Sequence, residues 1–354
     1  MNRKSQLLSL LAEHYDYRDE PFKLSSDELS HEYLDCRAAL SNPGPLALAA
    51  GEICSKLDPT VQAVGGPVLG GISLAVATSL VAGNVRSFSV RKEAKAHGTG
   101  KLIEGDVHPG DRVAILDDVA TSGASTLRVI QACQDFGLVP VQAIVLADRG
   151  GVAKIQLSSG LRWAGLRGLP IPSSVLALYQ FWDISVVGKA RQTALKAHGP
   201  QMYGNTKKPY RVHLEHVVRI LMEEMQDHYS PEILASGWLH DSLEDTELTL
   251  DQLQKQLPEP VCAIVDACTD GEGRNRRERK ERPYQLIPRT RNAVVIKVGD
   301  RLANVESCLS ESNVGLWDMY RKEHETFKKR LESSPADFDM RGMWRRLDGL
   351  LTVP

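Results

Sequence analysis

The sequence has no closely paired cysteines. Its 354 residues include six, Cys36, Cys54, Cys133, Cys262, Cys268 and Cys308, and no two form a CxxC pair. That spacing argues against a zinc knuckle or a dithiol redox motif and favours buried free thiols. No apolar run approaches the ~20 residues needed to span a bilayer. The first twenty residues, MNRKSQLLSLLAEHYDYRDE, are polar and amphipathic and lack a signal-peptide core. Neither sign of charge dominates: the net charge is −2, so no global basic field points to nucleic acid or a membrane surface. Repeats and low-complexity tracts are missing too. The expectation is a cytoplasmic protein with reduced thiols and with neither nucleic acid nor membrane as partner.

The chain is long enough for two domains, each with its own core. Up to about residue 150, segments that read as strands, such as Val61–Val64, Val85–Val90, Val113–Leu116 and Val141–Ala147, alternate with helical segments. That alternation predicts an α/β domain with a parallel sheet. Residues 164 to 187, with Pro170 and Pro172, contain the expected boundary. Beyond Lys189 the apolar residues recur at helical spacing, as in Val217, Val218, Ile220 and Leu221. The expected fold is therefore α/β plus all-α, with domains over 1–187 and 188–354.

The stretch Val113–Thr126, VAILDDVATSGAST, reads as a buried strand, an acid pair, a small-residue loop and a helix start. Loop N–H groups and the helix N-terminus suit a phosphate. Thr121, Ser122, Ser125 and Thr126 add hydroxyl donors, and Asp117 and Asp118 can accept hydrogen bonds from ribose hydroxyls. Alone, such a turn fits many α/β proteins. Residues 91 to 105 add Arg91, Lys92, Lys95 and His97 on a segment bracketed by Gly98 and Gly100. Cations on a glycine-hinged loop suit a lid that closes on a leaving diphosphate.

Together these stretches resemble type I phosphoribosyltransferases. VAILDDVATSGAST is similar to their phosphoribosyl-diphosphate (PRPP) signature, and SVRKEAKAHGTGKLIEG resembles the flexible loop of orotate phosphoribosyltransferases. The resemblance spans roughly residues 15 to 155. It implies a parallel sheet with helices and a hood, the hood falling over Phe22–Arg37. It also implies transfer of 5-phosphoribose from PRPP, with Mg²⁺ on the diphosphate, to a nucleobase. In that scheme Lys95 and His97 are the catalytic cations of the loop, and Arg91 and Lys92 bind phosphate. Asp117 and Asp118 face the ribose, while Thr121, Ser122, Gly123, Ala124, Ser125 and Thr126 hold the 5-phosphate. Arg149 reads a carboxylate on the base. A homodimer is implied by the resemblance as well. The hood carries Ser26-Asp27 where the family has serine-glycine, and Gly70 stands where many members have lysine or alanine. The acceptor base stays open.

The second half centres on Trp238–Thr246, WLHDSLEDT. Adjacent His240 and Asp241 can ligate one divalent metal, with Glu244 and Asp245 about a turn further on. His213 upstream and Asp300 downstream complete a nitrogen and oxygen set suited to Mn²⁺, Fe²⁺, Co²⁺ or Zn²⁺. Such a metal would lower the pKa of a water molecule and orient a phosphate oxygen. A lone His-Asp dipeptide means little. HDxxED followed by KxxDRxxN (Lys297 to Asn304) resembles the HD phosphohydrolase superfamily, in its alarmone hydrolase branch, over about residues 190 to 310. The resemblance implies His213, His240, Asp241 and Asp300 as ligands, with Mn²⁺ the expected metal. Glu244 and Asp245 would then position or activate water, and Asn304 would touch the nucleotide. Where that branch has a basic pair before PYxxH, this chain reads Gln201–Thr206, so the expected substrate is a nucleotide phosphate or diphosphate. The basic run Arg274–Arg282 reads as a solvated or mobile loop able to close over such a substrate.

The leading expectation is a bifunctional enzyme of nucleotide metabolism. The rival is a first domain that binds PRPP or a nucleotide without turnover and gates the hydrolase.

Overall fold

Four consecutive apolar residues, Val113 to Leu116, need cover on both faces, and a parallel sheet flanked by helices provides it. In the computed structural model all four are fully buried at the centre of such a sheet. The structure describes residues 3–23, 29–93, 101–160, 174–204, 208–225 and 228–352. By its internal contacts the chain divides into two units. One is residues 10–185; the other is residues 186–354 together with 1–9, which the sequence alone had grouped with the first domain.

Helix α1 (Arg3–Ala12) runs across the first of these divisions. Strands β1 (Tyr15–Lys23) and β2 (Leu29–Leu34) form an antiparallel hairpin at the hood position. Helix α2 (Cys36–Leu40) follows, capped by Asp35, whose Oδ1 accepts from the Ala38 N–H at 3.0 Å. Next come α3 (Pro43–Lys56), β3 (Ala63–Pro67), α4 (Ile72–Ala82), β4 (Arg86–Val90) and β5 (Ile103–Gly105). The remaining elements are β6 (Arg112–Ala120), α5 (Ala124–Phe136), β7 (Val139–Asp148), α6 (Gly151–Gly160), β8 (Ser174–Gln180) and α7 (Phe181–His198). The sheet order is β5-β4-β3-β6-β7-β8, parallel except for β5. Strand order reverses between β3 and β6. In open α/β sheets ligands bind outside the carboxyl ends of the strands at such a switch point.

The second unit is helical, as expected: α8 (Arg211–Glu224), α9 (Pro231–Leu239), α10 (Ser242–Asp245), α11 (Leu250–Gln254), α12 (Glu259–Cys268), α13 (Arg276–Leu286), α14 (Ala293–Ser310), α15 (Val314–Leu331) and α16 (Arg341–Thr352). Helix α14 is its axis, packed against α8, α9, α12, α15 and α16 and buried along most of its length. Helix α9 starts at a Ser230 cap with Pro231 in its first turn. It is apolar nearly all round, so it sits inside the bundle.

The basic run 274–282, expected as a loop, is instead mostly helix α13. Asn275 caps it by accepting from the Glu278 N–H at 3.0 Å. Several of its charges are paired: Arg276 with Glu323, Lys280 with Asp270, Glu281 with Arg330 and Arg282 with Asp266. Among the described residues no helix is long and apolar enough to cross a membrane.

Candidate active sites

In the first unit the carboxyl ends of β3 and β6 open onto a cleft of about 710 Å³. Phe22, Tyr33, Arg91, Lys92, Asp118 and Arg149 are among its walls. The two acids after β6 face different ways. Asp117 is buried, and its Oδ2 accepts from Ser125 Oγ at 2.8 Å and Thr126 Oγ1 at 3.0 Å. Its Oδ1 accepts from the Asp118 N–H at 3.0 Å. Burial, reinforced by the neighbouring Asp118 charge, pushes the Asp117 carboxyl up to about 6. Asp118 is half-buried and steadies its own strand end, its Oδ1 accepting from the Val119 N–H at 2.8 Å. Gly123 starts α5 at φ +73°, a conformation that favours glycine; a Cβ there would also meet Ile155 at 2.6 Å. A Cβ on Gly70 would sit 2.6 Å from Asp118 Oδ1, so the departure at Gly70 brings the backbone of the β3–α4 turn against the acid pair. Thr121 is half-buried, and Ser122 and Ala124 are exposed at the head of α5.

The cations divide as well. Arg91 pairs with Glu104 at 2.8 Å, and Lys92 lies exposed on the cleft wall. Arg149 donates to the Glu32 carbonyl at 3.2 Å and to Ser30 Oγ at 3.1 Å, both on β2. Its guanidinium lies 4.0 Å above the Phe181 ring. The hood strand and Arg149 are thus joined. Lys95 and His97 lie outside the described residues.

The second site is assembled from four helix segments. Chosen donor atoms of His213, His240, Asp241 and Asp300 all lie within 4.8 Å of one another. His213 Nε2 is 3.2 Å from His240 Nε2, 3.5 Å from Asp241 Oδ2 and 3.4 Å from Asp300 Oδ1. His240 Nε2 is 2.9 Å from Asp241 Oδ2 and 3.7 Å from Asp300 Oδ1. An ion with bonds of ~2.1 Å spaces adjacent donors by roughly 3.0 to 3.5 Å. The donor set fits that requirement. His240 Nδ1 lies 2.9 Å from the Gly237 carbonyl; donating there leaves the Nε2 lone pair facing the other three residues. Two neighbouring carboxylates and two buried imidazoles form a nitrogen and oxygen pocket for a divalent cation.

Around the tetrad, Tyr210 Oη is 2.6 Å from Asp241 Oδ2 and 2.8 Å from Asp245 Oδ2, holding the two acids together. The His198 ring stacks on Tyr210 at 4.3 Å. Glu244 turns the other way. Its Oε1 accepts from the Asp270 N–H at 2.7 Å and lies 3.8 Å from Lys297 Nζ. Burial raises the Glu244 carboxyl above its ordinary range. Asn304 donates from Nδ2 to Asp300, and its Oδ1 accepts from Tyr203 Oη at 2.7 Å. Tyr203 had no sequence signal at all, and Tyr210 was marked only by its place in PYRVH.

An orotate phosphoribosyltransferase of Methanothermobacter thermautotrophicus strain Delta H is 38% identical over 146 residues, covering 41% of this chain and 80% of that protein. The chain belongs to the orotate phosphoribosyltransferase family. That enzyme of Aquifex aeolicus strain VF5 is also 38% identical, over 148 residues, 39% of this chain and 80% of its own length. Residues 190–325 match the HD domain family, so the helical unit is an HD domain. Among solved structures, orotate phosphoribosyltransferase of Mycobacterium tuberculosis H37Rv in complex with PRPP is 26% identical, with a TM-score of 0.40 over 51% of this chain and 98% of that one. A metazoan ortholog of SpoT that hydrolyzes ppGpp is 22% identical, with a TM-score of 0.40 over 47% of this chain and 93% of that one.

Proposed function

We propose that the chain carries two activities of nucleotide metabolism: PRPP-dependent phosphoribosyl transfer to a nucleobase, and metal-dependent hydrolysis of a nucleotide phosphate. The observation that carries the reading is the convergence of His213, His240, Asp241 and Asp300 to within 4.8 Å, in one chain with a PRPP-type acid pair and loop.

In the first site the head of α5 and the loop hydroxyls bind the 5-phosphate, and Asp118 accepts from the ribose. Mg²⁺ enters with PRPP as part of the substrate. The lid cations Lys95 and His97 stabilise charge on the departing diphosphate. Arg149 lies at the base end, where the hood strand fixes its direction. Orotate is the acceptor named for the relatives and the first base to try.

In the second site the tetrad holds a divalent cation, Mn²⁺ by preference. When bound, it supplies an electrophile toward phosphate oxygen and acidifies water. Asp245, held by Tyr210, positions the attacking water, and Glu244, its carboxyl raised above the ordinary range, takes its proton. Phosphoribosyl transfer makes a nucleoside 5′-monophosphate-type product, and removal of that phosphate is the reaction we assign to the second site.

Incubating the protein with PRPP, Mg²⁺ and a panel of bases, with ³¹P detection, tests the first activity: diphosphate release with one base is expected. The same mixture supplemented with Mn²⁺ should then release orthophosphate. No diphosphate with any base sinks the transferase reading; no orthophosphate from any nucleotide sinks the hydrolase reading.

A further inference from the structure

We infer that His198 and Gln201 form a bracket that aims the Tyr210 hydroxyl at Asp241 and Asp245, which makes Tyr210 a positioning residue for a metal ligand and for the water-holding acid at once; this rests on the hydrolase reading above. His198 is the last residue of α7, and Tyr210 directly precedes α8. The chain between them is folded back on itself, with Met202 paired with Pro209. Gln201 clasps both aromatic residues. Its carbonyl accepts from the Tyr210 N–H at 2.9 Å, and its side-chain Oε1 lies 2.8 Å from His198 Nδ1. Facing an amide oxygen, Nδ1 carries the hydrogen. The imidazole then lies flat on the phenol, with ring centroids 4.3 Å apart and planes 6° apart.

The histidine offers its face rather than proton chemistry. The residue is 4% exposed, and Nε2 has no hydrogen-bond partner among the described residues. Burial lowers its pKa, so the ring stays neutral. With no group to exchange a proton with, what it supplies is a flat surface for Tyr210. Tyr210 in turn reaches the tetrad. Its ring meets His213 edge-on, with centroids 5.7 Å apart and planes at 79°. Its one hydroxyl hydrogen serves two acid oxygens, at 2.6 Å on Asp241 and 2.8 Å on Asp245. Once Asp241 shares its charge with a cation, Asp245 is the better acceptor, and the hydrogen settles there. The same hydroxyl thus keeps two like charges together without a cation and orients the water-holding acid with one.

The test titrates Mn²⁺ calorimetrically into the full chain and records the visible spectrum of the Co²⁺-loaded protein, neither of which needs a substrate. Tyr210→Phe keeps the stack and loses the hydroxyl. It should weaken Mn²⁺ binding about 10-fold or more and shift the Co²⁺ bands, while metal-free thermal stability stays within a few degrees. His198→Ala removes the flat support and should weaken Mn²⁺ binding about 3-fold or more; His198→Phe should restore it to within about 2-fold of wild type. Wild-type affinity with an unmoved Co²⁺ spectrum in Tyr210→Phe, or a His198→Phe no better than His198→Ala, overturns the inference. Asp241→Ala separates the two levels: if it binds Mn²⁺ as the wild type does, the metal centre falls, and the hydrolase reading with it.

Discussion

Asp117 is the residue whose chemistry is most exposed to test. Its carboxyl titrates near 6 in the folded chain against an ordinary 3.8. The folded state therefore holds a proton between pH 3.8 and 6 that the unfolded chain releases. Stability must fall as pH rises through that window, and the cost, about 3 kcal/mol, persists at pH 7. Asp117→Asn removes the charge but also one acceptor for the Ser125 and Thr126 hydroxyls. The ligand-free variant should gain about 1 to 2 kcal/mol at pH 7 and lose that advantage below pH 4. Under the transferase reading, ribose hydroxyls donating to the acid pair favour its charged form, so Mg²⁺–PRPP should raise the wild-type melting temperature more than that of the variant. Thermal unfolding of wild type and variant at pH 4 and pH 7, with and without Mg²⁺–PRPP, gives all eight values. An equal loss of stability at both pH values would show that the carboxylate is only a structural cap.

At the scale of elements, two helices depart from what local pattern announces. Helix α13 looks, from RNRRERKER, like a mobile basic arm. Its Lys280 is instead well buried, 2.9 Å from Asp270 Oδ1, while the Asp270 N–H faces Glu244. Burial, with Lys297 adding to it, lowers the Lys280 pKa. Lys280→Met should strand Asp270 without its partner and cost about 3 kcal/mol, and adding Asp270→Asn should recover much of that. A urea-denaturation double-mutant cycle measures the coupling; simple additivity would dismiss the pair as a support for Glu244. Helix α4 departs in the opposite sense. Ile72, Val76 and Leu80, four apart, are 36%, 55% and 82% exposed, with Val81 at 52%. That stripe is where we place the contact of the homodimer that the family resemblance implies, paired about a twofold axis. Leu80→Glu should convert a sedimenting dimer to monomer, whereas a monomeric wild type would refute the assignment.

For the whole molecule, legibility followed the range of the interaction. Val113–Leu116 announces a central strand because burial on both faces leaves an unbroken apolar run. The tetrad, though spread from His213 to Asp300, is legible because each ligand sits within a short motif. Tyr203 on His213 and Lys280 on Asp270 are side-chain contacts ten residues apart that follow no helical spacing, and residues 1–9 join the helical unit from the far end of the chain. Helical periodicity carries no trace of such pairings. The same division into units sets a last expectation. The tetrad lies wholly in the unit of residues 186–354, and the acid-pair loop wholly in that of residues 10–185. A cation that binds only the folded tetrad stabilises that unit by about 2.7 kcal/mol at a hundredfold excess over its dissociation constant. Calorimetric melting with Mn²⁺ and then with EDTA should therefore move one transition and leave the other in place. Asp241→Ala should erase that response while PRPP-dependent diphosphate release continues. If both transitions move together, the units unfold as one and metal binding is felt across the chain; if neither moves, the four donors hold no cation.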